Sequence, residues 1–159
     1  MYKTIVTRKS AAVFAALNRG DAGPLIEGLD RDVEHVMFGT HALSGERHQH
    51  HSVVSWYERL FRLLPDLHFD IDSVTVMGPP WRTTVAVQWR ERSLGGSYVN
   101  QGVNLIKLRW GRVQVIRIYC DTQHLAQMLD RLAGDGIAEA AAAPILDTAP
   151  DPARSSKPT

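Results

Sequence analysis

The sequence predicts an α+β domain: a cone-shaped, curved antiparallel or mixed sheet with helices packed on its concave face and a pocket inside. Three observations predict it. The apolar residues recur at helical spacing in the first third of the chain, at a period of two from about Leu67, and at helical spacing again from Thr122. The period-two segments alternate apolar with polar residues, as half-covered antiparallel strands do, whereas strands of a buried parallel sheet read as unbroken apolar runs. Glycine turns separate those segments into successive hairpins. Helices, then hairpins, then a closing helix make a layered α+β arrangement.

Ile5, Val6, Val13, Phe14 and Leu17 give the first helix one apolar face, and Asn18-Arg19-Gly20 stops it. Asp21 is positioned to cap a short second helix holding Leu25, Ile26 and Leu29. Val33 to Phe38 reads as a short strand ending at Gly39, and 40–50 as a polar loop. Val53, Val54, Trp56, Tyr57, Leu60, Phe61 and Leu64 draw a wide apolar stripe on a third helix that ends at Pro65-Asp66. Leu67, Phe69 and Ile71 alternate with polar residues, and the phase slips before Val74 and Val76, which predicts a bulge. Gly78-Pro79-Pro80 turns the chain into a strand carrying Val85, Val87 and Trp89. Gly95-Gly96 leads into a long strand from Tyr98 to Trp110, and Gly111-Arg112 marks a tight hairpin before Val113 to Asp121. Thr122 to Leu132 forms the last helix, with Leu125, Met128, Leu129 and Leu132 on one face.

Composition limits the functions that fit. The 159 residues hold 18 Lys plus Arg against 17 Asp plus Glu, with no basic block to follow a phosphate backbone, so no nucleic-acid partner is expected. Cys120 is alone, which excludes an intramolecular disulfide and a cysteine metal site and fits a reducing cytoplasm. Charged residues interrupt every long apolar run, so neither a signal peptide nor a membrane span is expected. No phosphate-binding loop, dinucleotide fingerprint or nucleophile elbow occurs, and no cofactor is expected. One domain is expected over 1–133, followed at 134–159 by an Ala/Pro-rich tail with little to bury, read as disordered.

Several segments in their order carry a resemblance. Ala16-Leu17-Asn18-Arg19-Gly20-Asp21, Trp56-Tyr57 followed by Leu64-Pro65-Asp66, Val85-Ala86-Val87-Gln88-Trp89, Gly111-Arg112 and Tyr119-Cys120-Asp121 make residues 5–133 similar to the SnoaL-like branch of the nuclear transport factor 2-like superfamily. The resemblance implies a cystatin-like α+β cone with an internal apolar pocket, often dimeric through the outer sheet face. Polyketide cyclases, ketosteroid isomerases, dehydratases and epoxide hydrolases share this fold, so the fold alone does not assign a reaction.

Polar side chains at core parity are the candidates for a site. Asn100 and Asn104 share a strand face with Ile106 and Leu108, and each must bond to protein, water or ligand. His35 shares parity with Val33 and Met37, near where the resemblance implies a catalytic carboxylate; it is a candidate general base or a structural histidine bonded to a carbonyl. Asp121 is either the acid or base that the resemblance implies at that strand end, or the cap of the last helix. Parity sets Tyr119 and Asp121 opposite Ile116, Ile118 and Cys120, although Tyr119 belongs to the candidate ligand contacts if the strand twists. Trp56, Tyr57 and Trp89 would wall a pocket for a flat aromatic or polycyclic ligand, or simply pack. The run Arg47-His48-Gln49-His50-His51 lacks the acidic residues that would complete a metal set and reads as a solvated loop, so no metal is expected. In Arg90-Glu91-Arg92 the carboxylate is misplaced for the arrangement of epoxide hydrolases, and Ile118 stands where their second acid would be, which disfavours that chemistry.

The expected function is therefore binding of a small apolar molecule. Cofactor-free proton transfer next to a carbonyl, as in isomerisation, cyclisation or dehydration, would have His35 or Asp121 as base and Asn104, with Tyr57 or Asn100, as oxyanion donors. The alternative is a non-catalytic binding or dimerisation module, with a homodimer through the outer face that carries Gln88, Arg90, Lys107 and Arg109.

Overall fold

The computed structural model describes residues 1–148. Its elements are α1 (Tyr2–Leu17), α2 (Gly23–Gly28), β1 (Leu29–Met37), β2 (Gly45–Arg47), α3 (His50–Leu63), β3 (His68–Met77), β4 (Thr83–Ser93), β5 (Tyr98–Arg109), β6 (Arg112–Cys120) and α4 (Thr122–Gly134). The six strands form one curved, unclosed mixed sheet in the order β2-β1-β6-β5-β4-β3, parallel only between β1 and β6. The helices bury their apolar stripes on its inner side: Val6, Phe14 and Leu17 from α1, Val53, Trp56, Tyr57, Leu60 and Leu63 from α3, and Leu125, Met128 and Leu129 from α4. Among the described residues no helix is long and apolar enough to cross a membrane.

Local chemistry sets these positions. Asn18, just past α1, behaves like an added strand residue: its Nδ2 donates to the Phe69 carbonyl at 2.9 Å and its Oδ1 accepts the Phe69 N–H at 2.7 Å, which ties α1 to β3. The β3–β4 register shifts between Ile71 and Ser73, where the sequence alternation slips. Asp66 accepts from Ser93 Oγ and from the N–H groups of Leu94 and Gly95, closing the turn between β4 and β5. These hydrogen bonds, with the Ser93 hydroxyl first, hold its carboxyl down at about 2.

Three expectations need correction. Leu29 opens β1 beside Val113 instead of closing α2, because full burial against the sheet outweighs its helical spacing from Leu25. The expected loop at 40–50 contains β2, paired with β1 at His35↔Arg47, and Arg47 is wholly buried. The segment read as the start of a disordered tail packs on the domain as far as it is described. A turn at Ala138–Ala141 lies against α4, Glu139 pairs with Arg59 and Arg62, and the Asp147 carboxylate accepts the N–H groups of His48 and Gln49 at 2.8 and 2.9 Å. The rest of that expectation, 149–159, lies outside the described residues.

Candidate functional site

Alternation along β4 sends Val85, Val87, Trp89, Glu91 and Ser93 inward. Glu91 is thus a carboxylate at a core position, 9% exposed, between Phe69 on β3 and Asn100 on β5. Tyr98 Oη donates to Glu91 Oε1 at 2.9 Å, and Asn100 Nδ2 donates to Tyr98 Oη at 2.9 Å. Burial pushes the Glu91 carboxyl up to about 7, and the hydrogen bond from Tyr98 opposes that rise. A carboxyl poised there is present in both its protonated and its ionised form at neutral pH, whereas an ordinary carboxyl is almost wholly ionised.

Two residues away, Trp89 lies across β5 at Gly102, where a Cβ would meet the indole at 2.8 Å and the Tyr119 carbonyl at 2.1 Å. Only glycine leaves room for that approach. The indole Nε1–H donates to Asn104 Oδ1 at 3.0 Å. Because indole nitrogen can only donate, the Asn104 oxygen is fixed toward Trp89 and its NH2 is the group left over; that NH2 makes no hydrogen bond among the described residues. Glu91, Asn104, Tyr57 and Trp89 border one interior space, otherwise walled by residues such as Leu17, Met37, Phe69 and Ile118. Its volume is about 30 Å³, room for a water or two. Burial, partly offset by the Arg47 charge, keeps the Tyr57 hydroxyl protonated and able to donate. Glu91 also borders a second, open hollow of about 420 Å³, with Asn100, Asp121, His124, Arg90 and Arg92.

The other sequence candidates fall elsewhere. His35 is wholly buried rather than near a mouth, and it does not border the interior space. Arg47 Nη1 donates to its Nδ1 at 2.7 Å, so the lone pair a base would use is occupied and Nε2 must carry the proton. Burial first, and the Arg47 charge second, hold the imidazole well below its usual range, hence neutral. Arg47 also donates to the carbonyls of Ser44 and Ile145 and lies over the Trp56 ring. Burial lowers its guanidinium to about 10, so it stays charged at neutral pH. Trp56 packs on His35 and Tyr57 and donates to the Leu43 carbonyl. Asp121 caps α4 by accepting the His124 N–H at 3.0 Å. Tyr119 is 43% exposed on the outer face and stacks on Phe38, so the strand does not twist it inward. Asn100 faces inward as parity requires, but both its amide oxygen and its nitrogen have two partners, which leaves it no donor for a ligand. The histidines after Arg47 bond to protein, His48 to Val33 O and Glu46 and His50 to Asp30 O, and no metal-sized cluster occurs among the described residues.

Of the expected contacts, then, Asn104, Trp89, Tyr57 and Trp56 meet at the interior space, while Asn100 and Asp121 border the hollow. Glu91 and Tyr98 were not among them. The signal was available: Glu91 follows Trp89 by two residues and shares its face.

A family model described as a SnoaL-like domain matches residues 11–116. No curated protein matches. Solved structures of similar fold include an NTF2-like protein of unknown function from Burkholderia pseudomallei, 18% identical, covering 76% of this chain and 94% of that one with a TM-score of 0.63. TerC, co-crystallised with polyporic acid, is 18% identical over 77% of this chain and 96% of its own, with a TM-score of 0.61. A Sinorhizobium meliloti protein put forward as a polyketide cyclase is 13% identical, over 70% and 94%, with a TM-score of 0.58. At these identities the likeness concerns the fold alone.

Proposed function

The chain belongs to the SnoaL-like family, and from that premise we propose that it binds a small carbonyl compound beside Glu91 and catalyses proton transfer next to the carbonyl without a cofactor. The observation that carries this reading is a buried carboxyl poised near neutrality on the same interior space as the unpaired NH2 of Asn104. Glu91 takes over the role expected of His35 or Asp121. Its carboxylate removes a proton from the carbon next to the carbonyl, and the C–H electron pair moves onto the oxygen as an enolate. The Asn104 NH2 and the Tyr57 hydroxyl donate to that oxygen. Return of the proton from Glu91 to the γ carbon of a conjugated enolate gives isomerisation. Its transfer to a β-hydroxyl, which leaves as water while the enolate electrons form the new C=C bond, gives dehydration and restores the Glu91 carboxylate. A preorganised donor of this kind is worth ~3 to 4 kcal/mol in the transition state.

The size of the space limits the ligand. The space bordered by Trp56, Tyr57 and Trp89 is so small that a polycyclic molecule finds no preformed chamber, since ligand pockets are typically ~300 Å³ or larger. The reacting end of the ligand replaces the water-sized space, and the remainder extends toward the hollow that Glu91 also borders.

A filled interior also favours a second reading, a non-catalytic module that pairs through the outer sheet face around Gln88, Arg90, Lys107 and Arg109. Hydrogen–deuterium exchange separates the two. In heavy water at neutral pH, a panel of small cyclic ketones and β-diketones is followed by proton NMR with the full chain. Faster loss of the signal next to the carbonyl, at least ~100-fold weaker with Glu91→Gln, supports proton transfer. Equal rates with and without protein, together with a dimer in sedimentation, favour the module.

A further inference from the structure

The hydrogen bonds around Glu91 run in one direction, and the backbone sets that direction. The N–H groups of Gln101 and Asp121 both donate to Asn100 Oδ1, at 2.8 and 3.2 Å. Backbone nitrogen cannot accept, so the amide of Asn100 has a single orientation. Its Nδ2 donates to the Asp121 carbonyl at 3.1 Å and to Tyr98 Oη at 2.9 Å. The hydroxyl of Tyr98 then receives one hydrogen and turns its own to Glu91 Oε1, at 2.9 Å. Tyr98 is wholly buried, and its ring stacks on His124 with centroids 5.4 Å apart, which holds the hydroxyl at Glu91.

We propose that Tyr98 and Asn100 are positioning residues for Glu91: together they commit Oε1 to accepting a hydrogen bond and leave Oε2 as the oxygen that takes up and releases the proton. The proposal rests on the reading of Glu91 as the acid and base. A free tyrosine hydroxyl can turn to accept from a protonated carboxyl or donate to an ionised one, and so favours neither form. With Asn100 behind it, Tyr98 is held as a donor and favours the carboxylate. The pair thus returns to Glu91 part of the proton acidity that burial removes, and keeps its proton on one defined atom.

Besides Tyr98, the charged or titratable groups around Glu91 are Asp70 on β3, Arg90 and Arg92 on β4, Cys120 and Asp121 at the end of β6, His124 on α4 and Tyr57 on α3. Arg90 and Arg92 are paired with Asp72 and Asp70. The Cys120 thiol is pushed up to about 12, by burial first and by the Glu91 charge second, and does not ionise near neutrality. His124 stacks on Tyr98, and its ring resonances are followed in the same titration.

The test is a pH titration of the full chain carrying carbon-13 at glutamate carboxyls, with Glu91 assigned by the signal missing from Glu91→Gln. Tyr98→Phe removes one oxygen and is expected to raise the proton affinity of Glu91 on the order of tenfold. Asn100→Ala is expected to raise it by a smaller factor, because the freed hydroxyl then serves both forms. Amide spectra confirm that each variant is folded, and a purely structural role would lower thermal stability while leaving the Glu91 midpoint in place. An unmoved or lowered midpoint in Tyr98→Phe overturns the proposal, and an unmoved midpoint in Asn100→Ala overturns the part given to Asn100. No substrate is needed, so failure of the ketone exchange assay and failure of this proposal are separate results.

Discussion

Arg47 and Glu91 are both ionisable side chains buried inside the sheet, and each sits in a hydrogen-bonded cluster with an aromatic neighbour. They differ in what surrounds the charge. The Arg47 guanidinium gives its hydrogens to His35 Nδ1 and to the carbonyls of Ser44 and Ile145, and the chain segment ending in Asp147 closes over it. Nothing in that cluster changes protonation near neutral pH, since Arg47 stays charged and His35 stays neutral. Glu91 has one donor on one oxygen, borders both an interior space and an open hollow, and is poised near 7. Burial of a charge alone therefore does not mark a chemical site. A free coordination position, access and a pKa near the working pH do.

Substitutions at the two clusters should separate accordingly. The largest effect is expected for Arg47→Ala, which leaves a void and strands two carbonyls and the His35 ring without a donor; urea unfolding should show a loss of about 4 kcal/mol, with the Glu91 midpoint unchanged. A loss below about 1 kcal/mol would place this cluster among incidental contacts. Glu91→Gln should change the pH dependence of stability instead. The folded carboxyl titrates at about 7 against an ordinary value of 4.5, so the folded state holds the proton over an interval in which the unfolded chain has released it. The stabilisation this gives is complete below the unfolded value and is lost as pH rises through about 7, a fall of about 3 kcal/mol that Glu91→Gln should abolish in urea midpoints taken at pH values from about 4 to 8. An identical slope in both proteins would remove Glu91 from the account.

Much of the frame was readable from the sequence, because the pattern of apolar residues is itself the physical cause of the layers. The bulge in β3, the inward faces of Asn100, Asn104 and Trp89, and the cap at Asp121 all follow from parity or from capping chemistry. Glu91 was equally readable from the alternation after Val85, Val87 and Trp89, and the flanking Arg90 and Arg92 drew attention to a different chemistry. What was not readable depends on distant partners. His35 has the expected parity, but its burial and lost basicity come from Arg47, and Arg47 in turn needs the Ile145 carbonyl, 98 residues away. A backbone carbonyl leaves no trace in residue type, so an Ala/Pro-rich segment that supplies one looks featureless. The volume left in the interior likewise depends on how Trp56 settles against Tyr57 and Trp89 against Phe69, which no periodicity encodes.

One measurement bears on the reading of Glu91 before any substrate is known. In the unmodified chain, with carbon-13 at its glutamate carboxyls, the Glu91 signal should move with a midpoint close to 7, well above the ordinary acidic range of a glutamate carboxyl. A Glu91 midpoint in that ordinary range would mean that the carboxyl is a permanent anion, and the proton-transfer site described above would not exist.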